Sequence, residues 1–413
     1  MAKVTAGANP PALQSEARAQ LTSPLALVAL VFFAVNIRTV LLAVPPILPL
    51  IQHDLRLSYA ATGFLNALPP LVLGILAYPA SFVIGRLGAQ RAVLISAAGL
   101  ALLSAARAAA PNAALLILAT ALMSASMTLG QTALPTIVHE RFARFVGQVT
   151  AAYSGGMMLG EVIAAALTVP LVLNVLVGGN WRATFLIWSL PVVASLILWV
   201  LAMPRGVAAR PSAMSAPTAA PASPALNPLR SWRVWQSSIL LGCGSLLFFG
   251  MDTWIPEYYH HLGRSDGSLA LTVLTVGQIP AVVVLSIFGQ HLAGKRLGFT
   301  LGGGVAAVAL VLWFILPPSW GVALSAVIGA ASAALFIFGL SLPPLLAHGR
   351  GVAQVSGIMM GLGYTIAFFG SFIGGTLWDA TGIPITAFIP VLLACVVVTI
   401  LSLFMPDAPS RRH

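Results

Sequence analysis

Twelve apolar runs of roughly twenty residues or more, separated by short polar stretches, organise this sequence. A run of that length suffices for a helix to cross the hydrocarbon core of a bilayer. In lipid, every backbone polar group must be satisfied within the chain, which leaves helices as the means of crossing for such runs. The runs lie near residues 24–50, 59–85, 92–110, 113–138, 147–176, 183–203, 236–260, 268–291, 298–317, 320–346, 353–378 and 384–405. Only 7% of the 413 residues are charged and 59% are hydrophobic, too little polar surface to cover a soluble protein. The fold class that follows is an all-α membrane protein with twelve transmembrane helices.

The net charge of +11 fits topology better than nucleic acid, because the basic residues lie in the connections between apolar runs. With the amino terminus inside the cell, the inner segments carry fifteen Lys and Arg. The outer loops carry Arg56, Arg107, Arg182 and Arg264, and Arg38 alone is inside a span. This bias places both termini in the cytoplasm, as expected of a multi-pass protein of the cell inner membrane. The tail over 1–23 lacks an apolar core and reads as mobile, with no cleavable signal, and the first span would itself direct insertion. Cys243 and Cys395 sit in apolar runs, outside any Cys-x-x-Cys pair, and read as packing residues.

A stretch rich in Pro, Ala and Ser over 204–235 cannot bury a core and reads as a flexible cytoplasmic linker. It divides the chain into an amino-terminal bundle, 24–203, and a carboxy-terminal bundle, 236–405, with a cytoplasmic tail over 406–413. The halves repeat. GQTALPTIVHER (Gly130–Arg141) matches GLSLPPLLAHGR (Gly339–Arg350), and VGQVTA (Val146–Ala151) matches VAQVSG (Val352–Gly357). The fourth and fifth spans therefore correspond to the tenth and eleventh, which describes two parallel, pseudo-symmetric six-helix bundles.

Several short motifs carry a resemblance. The connection after the second span, SFVIGRLGAQR, is similar to the loop signature G-x-x-x-D-R-x-G-R-R of the major facilitator superfamily. It keeps Arg86, Gly88 and Arg91 but has Gly85 where that family has Asp. In the family this loop latches the halves at the cytoplasmic face; here the missing Asp puts that latch in doubt, and the loop reads equally as a positive-inside anchor. Asn36-Ile37-Arg38, Trp181-Arg182-Ala183, Trp254-Ile255-Pro256 and GTLWDATG (Gly375–Gly382) together resemble the cyanate permease and 2-nitroimidazole transporter branch. The resemblance implies the major facilitator (MFS) fold, no cofactor, no enzymatic reaction, and secondary transport of a small solute by alternating access. The solute stays open, and the leading reading is uptake by proton symport, because the sequence has no nucleotide-binding motif and carries carboxylates within its spans. A proton-driven exporter of drugs or metabolites is the alternative, although the fifth span lacks the Gly-Pro signature of such exporters.

Arg38 stands fourteen residues beyond Pro24, roughly 21 Å along a helix axis. A guanidinium at that depth costs about 2.5–3.5 kcal/mol on insertion scales. It belongs in a watered cavity, and its planar fork suits an oxyanion. The competing role is a structural ion pair. Glu161 and Asp252 fall in the same slab of the membrane. Aligning Thr39 with Thr253 makes Asp252 the counterpart of Arg38 in the other half. A carboxylate that exchanges partners can take up and release a proton, so Glu161 and Asp252 are the candidates for proton coupling, against fixed salt bridges. Asn36, Gln131, Tyr153, Trp254, Gln278 and Tyr364 are candidates for lining the pocket with Arg38, against ordinary packing between helices. Glu257 and Asp379 fall nearer the outer helix ends and read as end-of-helix or gate residues. The histidines, His139 and His348 among them, form no metal-binding pattern. The partners expected are a small, anionic substrate, protons and the lipid bilayer, with the protein acting as a monomer.

Overall fold

The structure is a computed structural model; it describes residues 24–142, 144–202, 231–292, 295–346 and 350–405. Most of the 204–235 linker, both tails and His348 lie outside the described residues. Among these residues there is no strand, and twelve helices are long and apolar enough to cross a membrane. Their α-helical segments are α1 (Pro24–Leu42), α2 (Tyr59–Leu87), α3 (Ala89–Ala108), α4 (Ala113–Arg141), α5 (Val146–Leu167) and α6 (Trp181–Ala202) in one half. The other half has α7 (Trp232–His261), α8 (Gly267–Leu292), α9 (Arg296–Ile315), α10 (Pro318–Leu340), α11 (Arg350–Thr381) and α12 (Ile389–Leu403). Successive helices run in opposite directions. The face where α1 begins is called proximal, and the face of the 56–58, 262–266 and 382–383 connections is called distal.

The packing repeats between the halves. In the first, α1 lies against α5 and α6, α4 against α2 and α3, and α3 against α6. The second half shows the same set shifted by six, with α7 against α11 and α12, α10 against α8 and α9, and α9 against α12. Side chains such as Phe33, Met123, Leu134 and Trp199 fill one core, and Leu240, Phe299, Leu335 and Val398 fill the other. α7 is the most enclosed span, with 94% of its most apolar window buried, while its neighbours turn one side outward.

Proline shapes several helices. Pro170 has no N–H to donate, and α5 continues past it as a wide π-helical stretch, Thr168–Leu176. Pro69 and Pro70 interrupt the hydrogen-bond ladder of α2, and Pro256 that of α7.

The halves meet chiefly through α2 against α11, with a smaller contact of α5 against α8. Along the α2–α11 seam the contact is tight toward the distal face. A Cβ at Gly63 would lie 2.6 Å from the Ser371 carbonyl oxygen and 2.9 Å from the Trp254 ring. One at Gly375 would collide with the Tyr59 carbonyl. Phe64 packs edge-on to Phe368 with ring centroids 5.3 Å apart, and Tyr59 stacks on Trp378 at 3.9 Å. Residues 74 and 78 continue the same stripe of α2, because positions four apart share a helix face. Gly74 still touches Gly361, but Tyr78 is 73% exposed, and a Cβ at Gly357, one turn further on α11, would meet nothing. The seam is closed distally and parts toward the proximal face.

Candidate functional site

Two charged side chains face each other at mid-depth. Arg38 of α1 and Glu161 of α5 form an ion pair, Nη1 to Oε1, at 3.5 Å, with side chains 17% and 13% exposed. They meet because α1 and α5 pack closely at Gly160, where the Thr39 hydroxyl reaches the Gly160 carbonyl at 3.3 Å. The pair is loose, and the Arg38 Nε is buried with no hydrogen-bond partner. A guanidinium has five donors, so this one keeps unused donors beside the pair.

The other half contributes Asp252 and Tyr364. Asp252, 2% exposed, stands within electrostatic range of Glu161; Tyr364 stands within range of both Arg38 and Glu161. Tyr364 is buried edge-on to Phe249, 6.4 Å between centroids. Thr39 and Thr253 each return a hydroxyl hydrogen bond to the carbonyl four residues back, at 2.9 Å and 2.6 Å, from corresponding helices of the two halves.

The remaining candidates are more dispersed. Gln131 on α4 and Gln278 on α8 are half-buried, and each has one buried amide atom without a partner, Oε1 and Nε2 respectively. Asn36 donates its amide hydrogen to Phe32 of its own helix at 2.8 Å. Tyr153 packs half-buried against the core of the first half. Trp254 is fully buried in the distal seal, 5.9 Å from Trp378 and beside Gly63. Arg86 and Arg91 are exposed at the proximal end, and Gly88 supplies the left-handed φ of +83° that ends α2. Gly85 meets nothing within 4 Å. Arg141 instead binds Gln90 of the same half at 2.9 Å.

The structure also shows what the sequence reading missed. Asn66 of α2 crosses to the other half, its amide nitrogen 3.2 Å from Asp252 Oδ2 and 2.8 Å from Thr253 Oγ1. A lone Asn inside an apolar run was the available signal. Asp379, read above as an end-of-helix or gate residue, accepts hydrogen bonds from the backbone N–H groups of Tyr59 and Ala60, both at 2.8 Å, and so caps α2, a helix of the opposite half. Arg107 corrects the charge count made above. It is not in an outer loop but fully buried near the end of α3, its guanidinium 4.4 Å over the Phe185 ring and 3.2 Å from Ser104 Oγ. The apolar run expected over 92–110 already contains it, and the packing of α6 over α3 covers it. Arg182 pairs with Asp54 at the distal surface.

Residues 25–368 match the family model described as Major Facilitator Superfamily. This chain belongs to the Major Facilitator Superfamily. Its curated relatives include the cyanate transport protein CynX of Escherichia coli (strain K12), 26% identical over 86% of this chain and 90% of that protein. The 2-nitroimidazole transporter of the same organism is also 26% identical, over 86% of this chain and 88% of that one. Among solved structures, a bacterial homolog of the human lysosomal transporter Spinster, captured inward-facing and unoccupied, superposes with a TM-score of 0.73. That match has 14% identity over 95% of this chain and 100% of that one, a likeness of fold. The fold expected from the sequence, twelve spanning helices of the MFS type, is the fold observed, and the chain is a multi-pass membrane transporter.

Proposed function

We propose that this transporter carries a small polar or anionic solute into the cell by alternating access, coupled to protons, with Arg38 as the anchor. The observation that carries the reading is the Arg38–Glu161 pair, 3.5 Å apart at mid-depth, partly exposed, with unused donors on the guanidinium. Donors left over beside a partly exposed pair can receive a further acceptor. An incoming anion would take the guanidinium from Glu161, and the released carboxylate would accept a proton. Solute and proton would then bind together, because the solute displaces Glu161 from the one arginine and leaves its carboxylate free to take the proton. The named solutes of the relatives fit this fork chemically. Cyanate is a small anion, and a nitro group presents two negatively polarised oxygens in one plane.

In this reading the proximal face is cytoplasmic, since Arg86, Arg91, Arg144, Arg233 and Arg296 are exposed there. The closed seam would then be external, in the inner membrane. Gln131, Gln278, Tyr153, Asn36 and Tyr364 would shape the pocket around the anchor, with Trp254 in its external lid. Glu161 and Asp252 would carry the proton, and the protein would act as a monomer.

The test is binding and uptake by the full-length protein. Thermal-shift measurement against cyanate, small carboxylates and 2-nitroimidazole identifies a stabilising solute, and proteoliposome uptake of that solute follows. Arg38→Ala should insert normally and lose both the shift and uptake. Normal uptake by that variant would remove the anchor.

A further inference from the structure

We infer that the distal cleft between the short helix Leu48–Leu55 and the end of α7 is a second binding site, which takes a small zwitterion that bridges the halves and holds the distal face closed. The site is separate from the Arg38 anchor and does not depend on it.

The cleft has a volume of about 410 Å3, toward the lower end of the range for small-molecule sites. Its walls come from opposite halves. Gln52, His53 and Arg56 belong to the first half, and Glu257, His260 and His261 belong to α7. The short helix packs on α7. Tyr59 lines the cleft as well, with its ring stacked on Trp378 at 3.9 Å.

The ionisable groups of the distal side single out two residues. Asp54 accepts a hydrogen bond from Trp181 Nε1 at 3.1 Å and pairs with Arg182. Asp266 pairs with Arg264, and Asp379 caps α2. Glu257 is left over: it is 2% exposed, and its Oε1 is buried with no hydrogen-bond partner. Such an oxygen has lost its water and gained no donor in return. Of the distal arginines outside the helix core, Arg182 and Arg264 are taken, and Arg56 forms no salt bridge among the described residues. The two unmatched groups line one cavity from opposite halves and do not reach each other.

The backbone sets Arg56 at the rim. It ends the short helix in the left-handed conformation, φ 49° and ψ 47°, with its N–H bonded to the Gln52 carbonyl. It is the one non-glycine residue with a positive φ among the described residues. Glycine would make this turn without strain, so the turn itself does not call for an arginine. The side chain is exposed at the mouth of the cleft.

The order of these groups sets the chemistry of the ligand. The inner carboxyl of Glu257 calls for a donor, which an ammonium supplies, and the outer guanidinium of Arg56 calls for a carboxylate. A simple cation would meet the charge of Arg56 and leave it unpaired. A simple anion would leave Glu257 without a donor. A molecule with an ammonium at one end and a carboxylate at the other satisfies both. His53 and His260, exposed at the rim, can add hydrogen bonds to its outer end. Both walls are needed, and they part when the distal face opens. The ligand therefore binds the closed arrangement and shifts the protein toward it.

Thermal-shift measurement on the full-length protein in nanodiscs reads the binding. The probes are γ-aminobutyrate and glycylglycine as zwitterions, with butyrate and ethylammonium as single charges. Both zwitterions should raise the melting temperature, and the single charges should not. Glu257→Gln and Arg56→Ala should each weaken the apparent affinity for a zwitterion about tenfold or more. Arg38→Ala should leave it unchanged. A thiol under the seam reads closure, since Ser371 is fully buried on α11 against Gly63. Ser371→Cys, with Cys243 and Cys395 replaced by alanine, is labelled with a maleimide at a rate normalised to the exposed Leu262→Cys. A saturating zwitterion should slow that rate about fivefold. Arg56 is exposed, so its variant tests the site even where Glu257→Gln does not fold. The inference is overturned by no shift with either zwitterion, by an equal shift with butyrate or ethylammonium, or by undiminished affinity in Arg56→Ala. Loss of the shift in Arg38→Ala, or labelling that the zwitterion does not slow, overturns it as well. Normal uptake by Arg38→Ala would remove the anchor and leave this site standing.

Discussion

Asp379→Ala should open the distal seam without unfolding the protein. The carboxylate accepts two backbone hydrogen bonds at 2.8 Å, from the first two residues of α2, across the boundary between the halves. Removing a side chain that caps a helix costs about 0.5–2 kcal/mol, and the positive end of the helix dipole adds about 0.3–1 kcal/mol for an anion. Asp379 is exposed, so solvent screens the charge and water replaces part of what is lost. A net loss of about 1–2 kcal/mol is the working figure, equivalent to a factor of about 5–30 in the closed-to-open ratio. Because the contact exists only in the closed arrangement, nearly all of that loss falls on one side of the equilibrium. Spin labels at Ala109→Cys and Leu262→Cys, on distal surfaces of opposite halves, report the separation by pulsed electron resonance. The distance distribution should gain a longer component in Asp379→Ala and a smaller one in Asp379→Asn. A folded Asp379→Ala protein with an unaltered distribution would show that the stack of Tyr59 on Trp378 and the close approach at Gly375 hold the seam alone.

Gly375→Val should act in the same direction more strongly, since any Cβ there meets the Tyr59 carbonyl; labelling of a thiol at Ser371 would rise, and an unchanged rate would refute the closed geometry. Glu161→Gln should keep solute binding in a thermal-shift assay while losing proton-driven accumulation, because the amide no longer takes up a proton at the Arg38 site; retained accumulation at native stoichiometry would exclude it from coupling. Arg107→Met should leave thermal stability unchanged or raised. The buried guanidinium has two donor nitrogens without a partner, hydrogen-bonds Ser104 and the Val40 carbonyl and lies over Phe185, and apolar replacements of buried charges are often neutral or stabilising. A loss above about 2 kcal/mol would mean that the cation–π contact outweighs desolvation.

Much of this molecule was legible in its sequence. The twelve spans follow from length and hydropathy, because lipid permits no unsatisfied backbone and so turns every long apolar run into a helix. The repeat of Gly130–Arg141 at Gly339–Arg350 anticipated the matching packing of the halves. The depth of Arg38, Glu161 and Asp252 follows from the constant rise of a helix. What one dimension does not contain is the rotation of each helix about its axis and the partner it meets. That is why Arg107 read as a loop residue and proved buried under Phe185. It is also why Asp379 showed itself as a cap for α2 only when α11 lay across it, more than three hundred residues away in sequence. Asn66 meets Asp252 for the same reason. Hydropathy alone determined that these helices cross the membrane; the packing of glycine and aromatic surfaces determined which polar groups face one another once they do.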